Sequence, residues 1–312
     1  MEIYVDWGSS NFRAFLVDGG KAIDRRGAAG GGTLKNFSAA APEKRSEAYA
    51  AFFVEQLGDW LTAHPAAPVY ICGAVGGREG WVETAYSVTP AGFAEIRRNL
   101  HKIAPEKLHA AANRNIYIAS GCTTLMKDGR HDVIRSEEVK SLGAAKHLGL
   151  GDALLCIPGT HCKWVEIKSG KITGFETALT GEVFNLLSEN GGIGAILKAN
   201  PAPPVPDAAS FDAGLALAAC GFDLLTDLWQ VRSQKLRDPS PPQDLAAYFS
   251  GILIGHELRQ MEKFYHRAPA VLLADAGAKR DFYMRGFASL QWPVLATVDS
   301  ETAVFTGLAA LK

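Results

Sequence analysis

Apolar and polar residues alternate in short runs over the first thirty residues, a pattern typical of β-strands joined by tight turns. The runs predict three strands, over residues 2–6, 12–18 and 21–25. A small polar loop at residues 8–11 separates the first two strands, and the turn Asp18-Gly19-Gly20 separates the second from the third. The pattern therefore predicts an antiparallel meander at the start of the chain.

The same pattern returns near the middle of the chain. Residues 153–157, 163–168 and 171–175 predict three more strands, with the polar loop Pro158-Gly159-Thr160-His161 after the first. Gly159 follows Gly8, and Gly170 follows Gly19, at one constant separation of 151 residues. Two meanders with matching loops indicate an internally duplicated α/β protein of two domains.

Helical spacing of apolar residues fills much of the remaining chain. The predicted helices cover residues 42–64, 90–103, 136–148, 243–265 and 300–311. A further buried strand is predicted at residues 271–274, and two proline-rich stretches at residues 200–206 and 238–242 are predicted loops. Gly251 and Gly255 lie four residues apart in one predicted helix, which favours close packing against another helix.

Length and charge narrow the class of protein. A chain of 312 residues exceeds the common domain size of about 100–200 residues, so we expect two domains, at residues 1–129 and 130–312. Lys and Arg number 32 against 33 Asp and Glu, for a net charge of -1. This balance argues against a nucleic-acid partner bound through bulk charge.

Cysteine usage and hydropathy indicate the compartment. The five cysteines are scattered and odd in number, without a Cys-x-x-Cys pair, so neither a disulfide framework nor a zinc site is favoured. No uncharged apolar stretch approaches the roughly 20 residues that span a bilayer, and the start of the chain does not resemble a signal peptide. We expect a cytoplasmic protein with no membrane partner.

The two polar loops carry the first candidate chemistry. Backbone amides, glycines and hydroxyl groups suit the binding of phosphate, which favours a pair of loops that hold a polyphosphate. A plain hairpin turn is the alternative for either loop. The candidate phosphate ligands are Gly8, Ser9, Ser10, Asn11, Gly159, Thr160 and His161.

Charged residues flank both loops. Asp6 ends a predicted strand, where a carboxylate can orient Mg²⁺ through water, although capping of turn amides is a common role for such a residue. Arg13 and Lys163 lie early in the second strand of each meander, where a cation could reach a phosphate or simply face solvent.

Four motifs, in order along the chain, give the sequence a family resemblance. They are Asp6-Trp7-Gly8-Ser9-Ser10-Asn11-Phe12-Arg13, Gly73-Ala74-Val75-Gly76-Gly77-Arg78-Glu79-Gly80-Trp81, Asp132-Val133-Ile134-Arg135-Ser136-Glu137-Glu138 and Pro158-Gly159-Thr160-His161-Cys162-Lys163-Trp164. Together they resemble the 2-dehydro-3-deoxygalactonokinase family from the first residue to the C-terminal helix.

The resemblance implies a fold and an activity. The implied fold is actin-like, with two duplicated ribonuclease-H-like domains, a cleft between them, sugar-acid recognition in the first domain and nucleotide binding in the second. The implied reaction is the ATP- and Mg²⁺-dependent phosphorylation of 2-dehydro-3-deoxy-D-galactonate to its 6-phosphate in galactonate catabolism. A sugar acid and ATP would then be the partners, while the sequence leaves open whether the chain forms a homodimer.

The glycine-rich motif provides candidates for the sugar acid. The guanidinium of Arg78 suits a carboxylate, Glu79 lies beside it, and the indole face of Trp81 suits a sugar skeleton. The alternative is a glycine-rich turn with a surface arginine and a core tryptophan.

The third motif provides a candidate base for the proton of the attacking hydroxyl. By its resemblance to related carbohydrate kinases, Glu137 takes this role, with Asp132 as the second candidate. The alternative is structural: Ser136 caps the helix, and Glu137 and Glu138 favour its N-terminal dipole.

Weaker signals complete the set of candidates. Asp275-Ala276-Gly277-Ala278 matches the adenosine position of the implied fold, with Gly277 as the contact, although it has one glycine where two are common. The cysteines are expected to be small buried residues. Rival functions are a kinase for another 2-keto-3-deoxy sugar acid, a polyphosphate hydrolase of the same fold, and a sensor that binds a sugar acid without turnover.

Overall fold

The structure is a computed structural model that describes residues 1–33, 37, 41–104, 108, 114–125, 129–221, 223–238 and 240–312. Among these residues the strands are β1 (Glu2–Trp7), β2 (Asn11–Asp18), β3 (Lys21–Ala29), β4 (Val69–Cys72), β5 (Tyr86–Val88), β6 (His101–Lys102), β7 (Ile116–Ile118), β8 (Gly121–Leu125), β9 (His131–Ile134), β10 (Ala153–Ile157), β11 (Cys162–Lys168), β12 (Lys171–Ala178), β13 (Ala270–Leu273) and β14 (Val294–Val298).

The helices of the same residues cover most of the second half of the chain. They are α1 (Pro42–Ala63), α2 (Phe93–Arg98), α3 (Glu137–His147), α4 (Thr180–Glu189), α5 (Gly191–Ala199), α6 (Ala208–Ala219), α7 (Leu224–Leu228), α8 (Gln230–Arg237), α9 (Leu245–Tyr265), α10 (Ala278–Ser289) and α11 (Ser300–Ala309). No helix in the described part of the chain is both long enough and apolar enough to cross a membrane.

The first sheet has the strand order β3-β2-β1-β4-β7-β6. Strand β1 pairs antiparallel with β2 and parallel with β4. In this register Asp6 lies opposite Arg13 on one side and Cys72 on the other. The central strand thus carries Asp6 between two neighbouring strands at the end of β1, where it meets the first polar loop.

The second sheet repeats this design with the order β12-β11-β10-β13-β14. A three-stranded meander is again extended by strands that run parallel to its first strand, since β10 pairs parallel with β13 and β13 with β14. The predicted α/β class and the duplication of the meander are confirmed, and the shared order is that of two ribonuclease-H-like sheets of the actin-like type. A small third sheet has the order β5-β8-β9.

Contacts between residues divide the chain into two compact units. The first contains Met1–Asp152, Val165–Phe175 and Ser300–Lys312, and the second contains Ala153–Trp164 and Glu176–Asp299. These interleaved units do not coincide with the single division after residue 129 that the sequence predicts. The C-terminal helix α11 joins the first unit because it packs on α3 without intervening side chains: a Cβ atom on Gly143 would lie 2.0 Å from the carbonyl oxygen of Ala303.

An aromatic cluster forms the core of the first unit around Trp7. The indole of Trp7 is fully buried and its Nε1 donates a hydrogen bond to the Gly31 carbonyl oxygen at 3.0 Å. The rings around it include Phe12, Tyr49 and Trp81, all edge-on to the indole. Because Trp7 ends β1, this packing fixes the start of the first polar loop.

Helix α9 packs closely against α6 in the second unit. A Cβ atom on Gly251 would lie 2.1 Å from the carbonyl oxygen of Phe211 in α6, so the predicted close approach of helices at this glycine is confirmed. The helix begins after Asp244, whose Oδ1 accepts hydrogen bonds from the backbone N–H groups of Ala246 and Ala247 at 3.0 and 2.9 Å. This cap places the helix start two residues after the predicted one.

One predicted helix is wrong in part. Residues 90–103 form only the short helix α2, after which the chain leaves the helix and pairs as the edge strand β6 with β7. Ile96 and Ile103 are both buried at the seven-residue spacing that favours a helix. Ile103 instead follows β6, where its N–H donates to the Ile116 carbonyl oxygen at 2.9 Å. The two isoleucines therefore belong to different elements, and their helical spacing does not reflect one continuous helix.

Candidate active site

Asp6 is the centre of a charged cluster in the first unit. The residue is only 4% exposed, and Lys140 Nζ lies 3.1 Å from its Oδ2 while Arg13 Nε lies 3.6 Å from the same atom. The Ser136 hydroxyl donates to Oδ1 at 3.2 Å. A buried carboxylate needs such partners to offset the loss of water. We call Asp6, Arg13, Ser136, Glu137 and Lys140 the Asp6 cluster.

The start of α3 differs from its prediction. Ser136 makes no side-chain cap, because its hydroxyl is committed to Asp6, so the predicted capping role is wrong. The two glutamates instead reach back along the chain. Glu137 Oε2 accepts from the Arg135 backbone N–H at 3.1 Å, and Glu138 Oε1 accepts from the Ser136 backbone N–H at 3.1 Å. Both carboxyl groups are therefore held at the beginning of the helix.

The two neighbouring glutamates differ in how far they are buried. Glu138 is fully buried, and this burial, followed by the negative charge of Glu137, raises its pKa to about 8. It therefore holds its proton at neutral pH and cannot accept another. Glu137 is only partly buried. Of the two, Glu137 is the one that suits proton acceptance.

Lys140 is a member of the cluster that the sequence argument missed. Burial by itself would lower the pKa of this ammonium group, but Asp6 and, more weakly, Glu137 raise it above its usual value. The signal in the sequence was its position three residues after Glu137, which places both on one side of a helix. The cluster therefore pairs two cations, Arg13 and Lys140, with two carboxylates, Asp6 and Glu137.

The glycine-rich motif forms a tight loop over the aromatic core. Gly73 has a φ of 117°, and a Cβ atom there would lie 2.3 Å from the Trp7 carbonyl oxygen, so only glycine fits. Trp81 is 3% exposed within the core, in agreement with the alternative of a core tryptophan and not with an indole face open to a sugar. Arg78 and Glu79 are exposed, and Arg78 forms no ion pair with another residue of the described chain.

A second arginine lies beside this loop. The guanidinium of Arg135 donates to the carbonyl oxygen of Thr84 at 3.1 Å and also to its hydroxyl, and it stacks over the ring of Tyr86 at 4.4 Å. A Cβ atom on Gly76 would lie 3.0 Å from Arg135 Nη1, so the loop and this side chain are in contact. Arg135 belongs to the third sequence motif, but its residue type and position alone predict no role for it.

The first polar loop has solvent-exposed side chains, and its backbone is held by hydrogen bonds. The Gly8 N–H donates to the Asn11 carbonyl oxygen, and the Thr33 N–H donates to the Gly8 carbonyl oxygen, each at 3.0 Å. Ser9, Ser10 and Asn11 are exposed. The loop thus presents hydroxyl and amide groups to solvent close to the end of β1.

A cavity of about 350 Å³ adjoins the second polar loop within the second unit. Its walls come from that loop and from helices α4, α9 and α10, and the lining residues are Gly159, Thr160, Thr180, Gly181, Phe184, Asn185, Ser250, Leu253, Ile254, Lys279, Phe282 and Tyr283. Hydroxyl groups and one lysine thus share the cavity with apolar walls, a composition that suits a nucleotide.

Helix α4 supports the loop at this cavity. A Cβ atom on Gly181 would lie 2.3 Å from the Gly159 carbonyl oxygen, and the Glu182 N–H donates to the Thr160 carbonyl oxygen at 2.8 Å. The glycine permits backbone contact between helix and loop. The position of Gly159 and Thr160 therefore depends on the first turn of α4.

The other predicted residues of this region lie beside the cavity and do not line it. His161 Nε2 contacts Glu182 Oε2 at 2.7 Å, and the buried Lys163 donates from Nζ to the His161 carbonyl oxygen at 2.9 Å. Lys163 is thus not a solvated strand residue. Gly277 has a φ of 134° and immediately precedes α10, whose residues Lys279 and Tyr283 line the cavity.

Four cysteines are buried as expected, whereas Cys220 is exposed, which corrects that expectation for one residue. The thiols of Cys156 and Cys162 lie with a Glu257 oxygen within 4.8 Å of one another. Burial raises the pKa of both thiols, and the Glu257 oxygens already accept hydrogen bonds from Trp164 and Tyr283. A metal would need the thiolates and those oxygens, so this group does not suit a metal site.

Comparison with known proteins decides the family. The family model described as 2-keto-3-deoxy-galactonokinase matches residues 6–311. The chain belongs to this family. The match contains all four motifs, the Asp6 cluster and the cavity of the second unit, and the resemblance inferred from the motifs is confirmed. The family is one of carbohydrate kinases, so the predicted enzyme class is confirmed as well.

Individual relatives agree with the family. A protein of Escherichia coli strain K12 named 2-dehydro-3-deoxygalactonokinase is 31% identical over 99% of this chain and 96% of its own. A probable 2-dehydro-3-deoxygalactonokinase of Rhizobium meliloti strain 1021 is 34% identical over 98% of this chain and 94% of its own. A crystal structure from Sinorhizobium meliloti, to which the same name is provisionally given, has a TM-score of 0.83 at 28% identity and covers 100% of this chain and 98% of its own.

Proposed function

We propose that the protein transfers the γ-phosphoryl group of ATP to the 6-hydroxyl of 2-dehydro-3-deoxy-D-galactonate, as a step of galactonate catabolism. The observation that carries this proposal is the family match over residues 6–311, together with two relatives of that name matched over nearly their whole length. The free thiols of Cys72, Cys122, Cys156, Cys162 and Cys220 suit the reducing cytoplasm.

Glu137 is the proposed catalytic base. As the 6-oxygen of the sugar acid bonds to phosphorus, the bond from phosphorus to the ADP oxygen breaks, and the hydroxyl proton passes to the Glu137 carboxylate. The hydrogen bond from the Arg135 N–H fixes Glu137 Oε2 at 3.1 Å. Asp132 is less suited, because it lies in strand β9, outside the Asp6 cluster at the start of α3.

The Asp6 cluster is the proposed site of the transferred phosphoryl group in the first unit. Phosphoryl transfer is accelerated mainly by positioning and by fixed positive charge. Arg13 and Lys140 supply that charge, and Asp6 holds both cations in place. Gly8, Ser9, Ser10 and Asn11 add backbone and hydroxyl donors beside them.

Mg²⁺ is expected to arrive bound to the phosphates of ATP, as part of the substrate. Direct ligation by Asp6 does not fit this arrangement, since Lys140 Nζ lies 3.1 Å from Oδ2 and the Ser136 hydroxyl occupies Oδ1. The expected role of Asp6 in orienting the ion through water stays a prediction.

Two arginines are the proposed recognition groups for the sugar acid. Arg78 is exposed on the glycine-rich loop and suits a carboxylate, with Glu79 beside it for a hydroxyl. Arg135 contacts the same loop and could share the anion. Trp81 supports the loop from the core and makes no sugar contact in this proposal.

The cavity of the second unit is the proposed nucleotide site. Gly159 and Thr160 would contact phosphate, and Lys279 would add positive charge from α10, the helix that follows Gly277. His161 and Lys163 would support the second polar loop without contacting the nucleotide. His161 pairs with Glu182, and Lys163 binds the His161 carbonyl oxygen.

A coupled assay of ADP release tests the proposal. The panel should contain 2-dehydro-3-deoxygalactonate, its gluconate epimer, neutral hexoses and no acceptor, each with and without Mg²⁺. We expect turnover to be highest with the galactonate compound and to require Mg²⁺. Turnover only with neutral hexoses would contradict carboxylate recognition, and binding of the sugar acid without any turnover would favour a sensor.

A further inference from the structure

Glu257 is a buried acidic side chain for which neither the sequence motifs nor the proposed reaction supplies a role. It lies on α9 and is 6% exposed. Its Oε1 accepts a hydrogen bond from Trp164 Nε1 at 2.8 Å, and its Oε2 accepts one from the Tyr283 hydroxyl at 2.7 Å and another from the Thr180 hydroxyl. Three separate elements, β11, α4 and α10, thus meet at one carboxyl group.

Two of these three donors line the proposed nucleotide cavity. Thr180 belongs to the first turn of α4, and Tyr283 belongs to α10. Burial raises the pKa of Tyr283 well above its usual value, so the phenol keeps its proton and remains a donor to Glu257. The carboxyl group therefore lies behind the cavity wall and fixes the hydroxyl groups of two wall residues.

The position of Thr180 also affects the second polar loop. The next residue, Gly181, touches the Gly159 carbonyl oxygen, and the Glu182 N–H binds the Thr160 carbonyl oxygen at 2.8 Å. A displacement of Thr180 would therefore displace the contacts that support Gly159 and Thr160. Glu257 is thus connected to the loop through a single turn of α4.

We propose that Glu257 is a positioning residue for ATP, which holds Thr180 and Tyr283 so that the cavity and the second polar loop keep the shape that the nucleotide needs. The inference rests on the proposed nucleotide site. A carboxyl group suits this role because its two oxygens can accept several hydrogen bonds at once. A glutamine has one oxygen, and its NH₂ group must face either the indole N–H of Trp164, which cannot accept, or the hydroxyl groups of Thr180 and Tyr283, which must then rotate to accept.

The matched pair of variants is Glu257→Gln and Asp227→Asn. Asp227 is also a buried carboxylate of the second unit, 1% exposed and bonded to His256 Nε2 at 2.7 Å, but it does not line the cavity. We expect Glu257→Gln to raise the dissociation constant for a non-hydrolysable ATP analogue about 10-fold, the loss expected when one hydrogen bond at the cavity is misplaced. The KM for the sugar acid should stay within about twofold.

Asp227→Asn should leave the affinity for the analogue within about twofold even if it lowers stability. If Glu257→Gln does not fold, Thr180→Val and Tyr283→Phe each remove one donor, and each should weaken analogue binding. Thr180→Ser keeps the hydroxyl and should therefore bind the analogue as the wild type does. A folded Glu257→Gln or Thr180→Val protein with wild-type affinity would overturn the inference.

A separate result identifies failure of the proposed site itself. Lys279→Met removes a lysine that lines the cavity and leaves Glu257 unchanged. If this variant and Glu257→Gln both bind the analogue as the wild type does, the nucleotide does not occupy this cavity. If only Lys279→Met weakens binding, the cavity is right and the role of Glu257 is wrong.

Discussion

The two polar loops share one backbone design but differ in the chemistry behind them. With the constant separation of 151 residues, Asp6 corresponds to Ile157 and Arg13 corresponds to Trp164. Asp6 and Arg13 form an ion pair in which Asp6 is buried and Arg13 is partly exposed, whereas Ile157 and Trp164 are both buried apolar side chains. One copy of the meander thus carries charge at the end of its first strand, and the other carries none there.

The difference teaches how a repeated element acquires two functions. In the first copy the buried carboxylate requires cations, which β2 and α3 supply through Arg13 and Lys140. In the second copy the carboxyl group, Glu257, comes from α9 and accepts hydrogen bonds from the neutral donors Trp164, Thr180 and Tyr283. The first arrangement suits chemistry on a phosphoryl group, and the second suits a shaped cavity for a nucleotide.

The largest effect is expected from Glu137→Gln. Loss of general-base help should lower kcat by about 10²–10⁴-fold, while both KM values change little because glutamine keeps the length of the side chain. Steady-state kinetics of ADP release measures this. If the variant keeps its turnover and Asp132→Asn is inactive, the base is Asp132.

Asp6→Asn should lower kcat by about 10²-fold, because Arg13 and Lys140, beside the phosphoryl group, lose the carboxylate that positions them. It should also reduce the free energy of unfolding by about 3 kcal/mol, since it leaves Lys140 without its buried partner. The double variant Asp6→Asn/Lys140→Met should recover stability but not turnover, as measured by urea unfolding and kinetics. Recovery of both would reduce the Asp6 cluster to a structural ion pair.

Arg78→Lys tests recognition of the sugar acid in the first unit. A lysine keeps the charge but cannot make the two parallel hydrogen bonds of a guanidinium, so the KM for the sugar acid should rise about 10-fold. The KM for ATP should remain near the wild-type value. Equal increases in both constants would contradict a role of Arg78 in carboxylate binding.

Glu138→Gln should have the smallest effect, on stability alone. The pKa of Glu138 is about 8 in the folded protein against an ordinary value of 4.5, so the folded state binds the proton more tightly. Its stabilising contribution is complete below about pH 4.5 and is lost as the pH rises towards 8. The wild type should lose about 1 kcal/mol between pH 6 and pH 7 from this group.

Glutamine cannot titrate, so the variant should lack this loss when unfolding by urea is compared at the two pH values. The Glu55→Gln variant, at an exposed position of α1 in the same unit, is the control and should follow the wild type. An unchanged pH dependence in Glu138→Gln would mean that Glu138 is not the group that holds the proton.

Local signals in the sequence predicted the elements that carry the loops. Strand β10 has the predicted bounds of residues 153–157, and α3 lies within the predicted residues 136–148, because strand alternation and helical spacing are set by neighbours along the chain. Gly8 and Gly159 were recognisable for the same reason. The duplication, the position of the loops and the family followed from these short patterns.

Contacts between distant residues could not be predicted in this way. Lys140 meets Asp6 across 134 residues of sequence, and Glu257 meets Trp164 across 93, so nothing in the local pattern pairs them. The burial of Trp81 depends on Trp7 and Phe53 from other elements. Whether a side chain faces a ligand or the core is decided by such packing.

The most direct test of two loops with separate roles is a crystal structure of the protein with a non-hydrolysable ATP analogue. We predict the nucleoside in the cavity of about 350 Å³, beside Thr180 and Lys279, with phosphate oxygens near Gly159 and Thr160. Density for the nucleoside elsewhere would contradict the account, as would binding in the cavity of about 520 Å³ that Arg259 and Arg285 line.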